Sequence, residues 1–161
     1  MSDIVTAGIP TMAIAAIGKV QALEKALAAH PQISLETDHV LHGGQYARTI
    51  MIPAGCVITG ALIKIATTLV VSGDCTVYVG DDTIRLTGYR VIAAGAGRKQ
   101  AFIAHADTYL TMVFPTDAQT IEQAEDEFTD EAHLLLSRSD AGLNTFKITG
   151  EPKCLVQPQR S

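Results

Sequence analysis

The chain has 161 residues, of which 47% are hydrophobic, 18% are charged and 5% are aromatic, and its formal net charge is −5 at pH 7. This length and hydrophobic content predict one folded domain and exclude an intrinsically disordered chain. No stripe of basic residues runs along the sequence, so we expect no binding to nucleic acid, whose phosphates require a positively charged face.

Residues 1–31 are predicted to form an N-terminal helical segment. Pro10 and Thr11 mark its start, and His30 ends it, because a residue before proline avoids the α-helical conformation. The apolar stripe is wider than docking on a small barrel requires, which predicts an oligomer interface formed by Ile14, Ile17, Val20, Leu23 and Leu27. The helix lacks a Lys/Arg-rich polar face and its apolar run is too short to span a bilayer, so we expect no membrane contact.

Residues 32–116 show a different pattern, in which short β-rich runs recur about every ten residues between Gly, Asp and Pro. Short strands without intervening helices predict a sandwich or a barrel. Two hairpins are expected in this region, one turning at residues 72–74 and the other at residues 80–82.

Residues 117–161 are predicted to form a C-terminal helical extension followed by a final strand and tail. The helical part is acidic, and Ile121, Ala124 and Phe128 are the apolar residues available for docking. The three cysteines, Cys56, Cys75 and Cys154, are odd in number and too widely spaced for a metal-binding pair, so we expect reduced thiols.

Two stretches carry a resemblance to a known family. "LEKALAAHPQISLETDHVLHGGQYARTIMIPAGCVITGALIK" and "AAGAGRKQAFIAHADT" resemble the cupins, and more narrowly a cupin-fold (RmlC-like jelly-roll) group encoded by bacteriophages. The resemblance covers roughly residues 23–116. It implies a mainly β fold, a cupin-like double-sheet jelly-roll barrel, here with an N-terminal α-helix and a C-terminal acidic helical extension.

The metal-binding motifs of the cupins can be compared with this sequence position by position. With Gly55 as the first-motif glycine, Ala61 and Ile63 stand at the two histidine positions, and the glutamate position falls among Ala66, Thr67 and Thr68. With Gly88 and Gly95 in the second motif, the histidine position falls on Arg98. Because none of these side chains is a metal ligand and Arg98 is positively charged, we expect neither a metal nor another cofactor.

A second set of residues offers an alternative. His39, His42 and His105 could together hold a metal, although on a strand His39 and His42 would point to opposite faces. Acid–base catalysis without a metal would use His42 or His105 as the base, with a partner among Tyr46, Tyr78 and Asp107.

Several residues are expected to have structural roles. The predicted turn positions are Gly55, Gly60, Gly88 and Gly95, with Gly95 and Gly97 expected to have positive φ angles or tight contacts. Arg48 and Arg98 are predicted to be buried or half-buried and to pair with acids such as Asp107 or Glu36.

The function expected from this resemblance is that of a non-catalytic virion structural or assembly protein, such as a decoration, tail or connector component. It would be made in the host cytoplasm, located in the virion, homo-oligomeric and in contact with other virion proteins. The alternative is a cupin enzyme or small-molecule-binding protein that uses His39, His42 and His105.

Overall fold

The computed structural model describes residues 8–139, 142 and 144–148. Helix α1 spans Ile14–Leu27, α2 spans Ile121–Phe128, a 3-10 turn spans Ala132–Leu134, and α3 spans Leu136–Ser139. The strands are β1 (Thr37–His42), β2 (Gln45–Ile52), β3 (Val57–Thr59), β4 (Thr67–Tyr78), β5 (Thr83–Ala94), β6 (Ala101–Ala104), β7 (Thr108–Pro115) and β8 (Asn144–Ile148).

The eight strands form one hydrogen-bonded sheet in the order β3-β6-β4-β7-β2-β1-β8, with β5 along the other edge of β4. The strand pairs are antiparallel except β1 with β8, which is parallel. Strand β4 pairs with β7 through residues 68–72 and with β6 through residues 75–77, so the sheet curls into a half-barrel. The predicted fold class, mainly β with an N-terminal helix and C-terminal helices, is confirmed.

Strand β4 also corrects one predicted hairpin. The turn expected at residues 72–74 is absent, because β4 runs without a break from Thr67 to Tyr78 and pairs with β5 over its full length. Gly73 lies where β4 changes partner, with a φ angle of +147°, and a Cβ atom there would stand 2.7 Å from the Asp107 carbonyl oxygen and from the Thr108 Cα. The close approach of the neighbouring backbone therefore requires this glycine. The hairpin predicted at residues 80–82 is confirmed as the β4–β5 turn.

The core lies on the concave face of the sheet and is closed by α2. Phe128, at the end of α2, is 1% exposed and stacks on Tyr46 with 6.4 Å between ring centroids. It also meets Phe114 edge to face at 6.0 Å. The hydroxyl of Thr120 accepts a hydrogen bond from the Gln123 amide and caps the start of α2. The C-terminal helix thus covers the open side of the half-barrel.

Helix α1 packs on the outside of the sheet, and its contacts correct two expectations. It begins at Ile14 because the Thr11 hydroxyl donates to the Ala96 carbonyl, which holds Thr11 in a loop. Val20 is 1% exposed and packs in a small cluster with Met12, Ala16 and Ala101. Val20 therefore belongs to the intramolecular packing and is unavailable as an interface residue. Of the other predicted interface positions, Ile17 and Leu27 are half-buried, while Ile14 and Leu23 are exposed.

Candidate functional site

A pocket of about 780 Å³ lies between the concave face of the sheet, the chain after α1 and the chain after α2. Its apolar wall includes Ile50, Leu69, Phe102, Leu110 and Met112. These residues project from β2, β4, β6 and β7 because alternate residues of each strand face the concave side. The charged residues of the lining are Glu24, Arg48, Arg98, Lys99 and Glu131.

Arg98 is 2% exposed. It contacts Thr67, one of the residues among which the metal-binding glutamate position of the cupin motif falls. Its Nη2 donates to the hydroxyl of Thr67 at 2.8 Å, and its Nη1 donates to the Gly95 carbonyl at 2.7 Å. The expected acid partners, Asp107 and Glu36, are both exposed and form no salt bridge with Arg98. That pairing prediction was wrong, because oxygen atoms of the main chain and of Thr67 accept the guanidinium hydrogens instead.

Arg98 carries the one guanidinium or ammonium group lining the pocket that pairs with no carboxylate among the residues the structure describes. Burial lowers the pKa of Arg98 to about 10, so it remains charged at neutral pH. Two buried donors on the pocket wall also lack a hydrogen-bond acceptor within the described part of the chain, Nε of Arg98 and Nε2 of Gln100.

Lys99 binds three separate segments of the chain, and sequence reasoning did not identify it as a residue of the site. It is 1% exposed, and its Nζ donates to the Gly60 carbonyl at 2.8 Å. The same nitrogen lies 3.0 Å from a Glu24 carboxylate oxygen on α1 and 3.7 Å from one of Glu131 after α2. A lysine beside an apolar strand gives little sequence signal, because its partners lie far away along the chain.

Arg48 pairs with Glu125, so the predicted partners Asp107 and Glu36 were wrong for this arginine as well. Arg48 Nη1 lies 2.9 Å from Glu125 Oε2, and the guanidinium stands 5.8 Å from the centroid of the Phe128 ring. Glu125 is 1% exposed and also binds Arg138 at 2.8 Å and the Ser137 hydroxyl. The hydrogen bond to Glu125 raises the pKa of Arg138. The sequence signal for Glu125 was its position four residues after Ile121, on the buried face of α2.

His39, on β1, is buried and is 1% exposed. Its Nδ1 lies 2.7 Å from the Tyr46 hydroxyl, and its Nε2 lies 2.9 Å from the Asn144 side-chain oxygen. An amide oxygen only accepts, so Nε2 carries the proton and Nδ1 accepts from Tyr46. Burial lowers the pKa of His39 and raises the pKa of Tyr46 to about 12, which keeps both groups neutral.

The structure does not bring the three candidate histidines together. His42 is exposed on the opposite face of β1 from His39, as strand geometry predicted, and His105 is exposed and bonded to Thr76 at 2.7 Å. Within the described part of the chain, no group of three or more His, Cys, Asp or Glu residues could hold a metal ion. The alternative prediction, a metal site formed by His39, His42 and His105, was therefore wrong.

The proposed acid–base partners are also dispersed. Tyr46 bonds to His39 instead of His42 or His105, and Asp107 accepts from the Ala54 amide at 2.9 Å. Tyr78 faces helix α1, where its ring packs near Met12 and Val20. No predicted base stands beside a predicted partner within hydrogen-bond reach, which acid–base catalysis requires.

The predicted turn glycines lie at the following places. Gly55 and Gly88 have φ angles of +83° and +73°, whereas Gly60 follows β3 and supplies the carbonyl that binds Lys99. At Gly95 the φ angle is ordinary, but a Cβ atom would stand 2.9 Å from the Thr11 amide nitrogen. Gly97 has a φ angle of +73°.

Of the cysteines, Cys75 is buried, Cys56 is half-buried, and Cys154 lies outside the described residues.

Comparison with known proteins gave matches among solved structures only, since no protein-family model and no curated protein matches the sequence. A cupin superfamily protein from Desulfitobacterium hafniense is 11% identical, with a TM-score of 0.44 over 55% of this chain and 83% of its own. An RmlC-like cupin family protein with a double-stranded β-helix fold, from Methanocaldococcus jannaschii, is 10% identical, with a TM-score of 0.44 over 54% and 84%. A cupin-2 domain protein from Shewanella frigidimarina is 10% identical, with a TM-score of 0.40 over 58% and 91%.

These proteins are cupins by name. Among the described residues, no helix has both the length and the apolar composition that crossing a membrane requires.

Proposed function

We propose that this chain is a non-catalytic structural or assembly component of a bacteriophage particle, built on a cupin-like half-barrel. It functions as a homo-oligomer in contact with other virion proteins, and it binds neither nucleic acid nor membrane. It is made in the host cytoplasm and resides in the virion. The phage part of the proposal rests on the sequence resemblance over roughly residues 23–116.

The observation that carries the assembly role is an apolar surface on the convex face of the sheet. Tyr89 and Val91 on β5 are 71% and 57% exposed, and Tyr109 on β7 is 54% exposed. Ser72 of β4 pairs with both tyrosines, so Tyr89 and Tyr109 lie on either side of one strand. Grouped apolar side chains on a protein surface are typical of sites that bind another protein.

The same surface borders an open sheet edge. Strand β5 pairs with β4 along one side, and on its other side the described residues contribute a single bridge, between Ile9 and Ala94. Within the described part of the chain no other strand pairs with that edge, and an open edge of this kind can pair with a strand of another subunit. Strand addition there would place the partner beside Tyr89 and Val91 and bury both.

The non-catalytic part of the proposal is supported by Arg98. Its guanidinium bonds to Thr67, at one position that a cupin metal ligand would take, and adds a positive charge there. Elemental analysis of the purified protein is expected to find no stoichiometric transition metal. About one equivalent of bound metal, lost on substitution of His39, would contradict this part.

The assembly proposal is tested by Val91→Lys. Sedimentation analysis of the full chain should show a large oligomer for the unchanged protein and a smaller species for the variant. Val40→Lys is the matched control, because Val40 is also an exposed strand valine, at 37%, but lies on β1 away from this surface. Equal masses for all three proteins would place the interface elsewhere.

Mass spectrometry of purified particles tests the virion assignment separately. The protein should be found in particles at a copy number that is a multiple of its oligomer size in solution. Its absence from particles, with the protein present in the infected cells, would reject the virion role.

A further inference from the structure

The pocket on the concave face contains a positive charge that no carboxylate among the described residues neutralises. Arg48 is paired with Glu125, and Lys99 is paired with Glu24 and Glu131. Arg98 pairs with no carboxylate in the described part of the chain, although it is 2% exposed. A buried charge without a counterion is costly, and an anion bound beside it would remove that cost.

Two hydrogen-bond donors on the same wall point to the same kind of ligand. Arg98 Nε and Gln100 Nε2 are buried and unpaired within the described residues, on side chains 2% and 6% exposed. Both are N–H donors, so the group that satisfies them must supply acceptor oxygens. Both side chains line the same pocket, so one ligand within it could satisfy both donors.

The remaining residues of the pocket wall indicate that the body of the ligand is apolar. Leu69, Leu110, Phe102 and Ile50 are apolar, and the volume of about 780 Å³ lies in the range of small-molecule sites. Met112 contacts Arg98 Nη2 through its sulfur at 3.9 Å. This sulfur is a weak acceptor on a flexible side chain, so Met112 is the group that an entering carboxylate would displace.

We propose that this pocket binds a small organic monocarboxylate, whose carboxylate is held by Arg98 and Gln100 and whose apolar body lies against Leu69, Leu110 and Phe102. A phosphate ester fits less well, because a dianion needs a second free cation and both Arg48 and Lys99 are already paired. This inference does not depend on the virion role, since a structural protein can hold a bound ligand.

The test is calorimetric titration of the full chain with sodium octanoate and, separately, with octan-1-ol. Octanoate should bind one to one and at least about tenfold more tightly than the alcohol, because charge-assisted hydrogen bonds are the stronger ones. Arg98→Gln should weaken octanoate binding by about tenfold or more. Arg90→Gln is the matched control, since it removes the same charge from an exposed arginine outside the pocket and should leave octanoate binding unchanged.

A second variant keeps the test decisive if Arg98→Gln does not fold. Gln100→Leu leaves the Arg98 contacts in place and should weaken octanoate binding several-fold without affecting octanol. Equal affinities for the acid and the alcohol would overturn the proposal, because they would show apolar partitioning only. It is also overturned by absent octanoate binding at millimolar concentration, or by unchanged affinity in both pocket variants.

Discussion

Arg98 and Thr67 contact one another inside the half-barrel, where Nη2 of the arginine donates to the threonine hydroxyl at 2.8 Å. Thr67 is the first residue of β4, and Arg98 lies in the loop between β5 and β6. The two ends of the β4–β5 hairpin are thus joined by a charge-assisted hydrogen bond within the core.

Thr67→Val should destabilise the protein by about 1–3 kcal/mol, because the variant leaves a buried guanidinium hydrogen without its acceptor. The free energy of unfolding is measured in urea. Thr68→Val is the control, since Thr68 is the exposed neighbour on the same strand, and it should be close to neutral. Equal effects of the two variants would show that the Arg98–Thr67 bond contributes no stability.

Glu125→Gln should cost about 3–5 kcal/mol, because it leaves Arg48 and Arg138 without their shared buried carboxylate. Glu122→Gln on the exposed face of α2 serves as the control and should have little effect. Thermal unfolding followed by circular dichroism compares the two. A small loss for Glu125→Gln would indicate that α2 docks by its apolar side chains alone.

His39 should make stability depend on pH. Burial lowers its pKa in the folded protein below the ordinary value of 6.5. As the pH falls through 6.5, the unfolded chain binds a proton that the folded chain resists, so the free energy of unfolding decreases toward acid. The contribution of His39 to the free energy of unfolding is therefore fully present above pH 6.5.

Urea melts at several pH values between about 7.5 and 5.5 measure this effect, since the window brackets the ordinary histidine pKa. His39→Gln should flatten the slope in that window, whatever its effect on absolute stability. Thr68→Val, an exposed substitution that changes no titratable group, should keep the slope of the unchanged protein. An unaltered slope in His39→Gln would assign the pH dependence to other groups.

Gly95→Val should destabilise the fold by about 1–3 kcal/mol, because its Cβ would meet the Thr11 amide nitrogen at 2.9 Å and force the backbone to shift. Gly18→Ala is a useful contrast. Gly18 is an exposed residue in α1, and a Cβ atom added there would have no neighbouring atom within 4 Å, so alanine should stabilise by about 0.5–1 kcal/mol. Equilibrium unfolding of both variants would show whether contact or helix propensity decides each case.

The fold class could be predicted from the sequence because strand rhythm and helical periodicity are local signals. The prediction of a turn at Gly73 was wrong. A glycine between two polar residues indicates a turn when only its neighbours in sequence are considered. Its actual role depends on Thr108, which approaches β4 from a distant part of the chain. The sequence does not show that β4 changes partner at this point.

The charged residues of the pocket were predicted less well than the strands. Arg48 and Arg98 were correctly expected to be buried or half-buried, but their partners were wrong, and Lys99 was missed. A buried charge is identified by the group that binds it, and Glu125 and Glu131 come from the C-terminal segment. Periodicity places a side chain on a face but does not select which of several carboxylates reaches it.

The partner change in β4 also has a consequence for synthesis on the ribosome. β2 ends at Ile52, but its partner β7 begins only at Thr108, and β3 must wait for β6. The β1–β2 and β4–β5 hairpins can form as they emerge, yet their apolar faces stay uncovered until β7 pairs with both β2 and β4. The nascent chain therefore exposes apolar strand faces at least until Pro115 has left the exit tunnel, and such exposure favours aggregation.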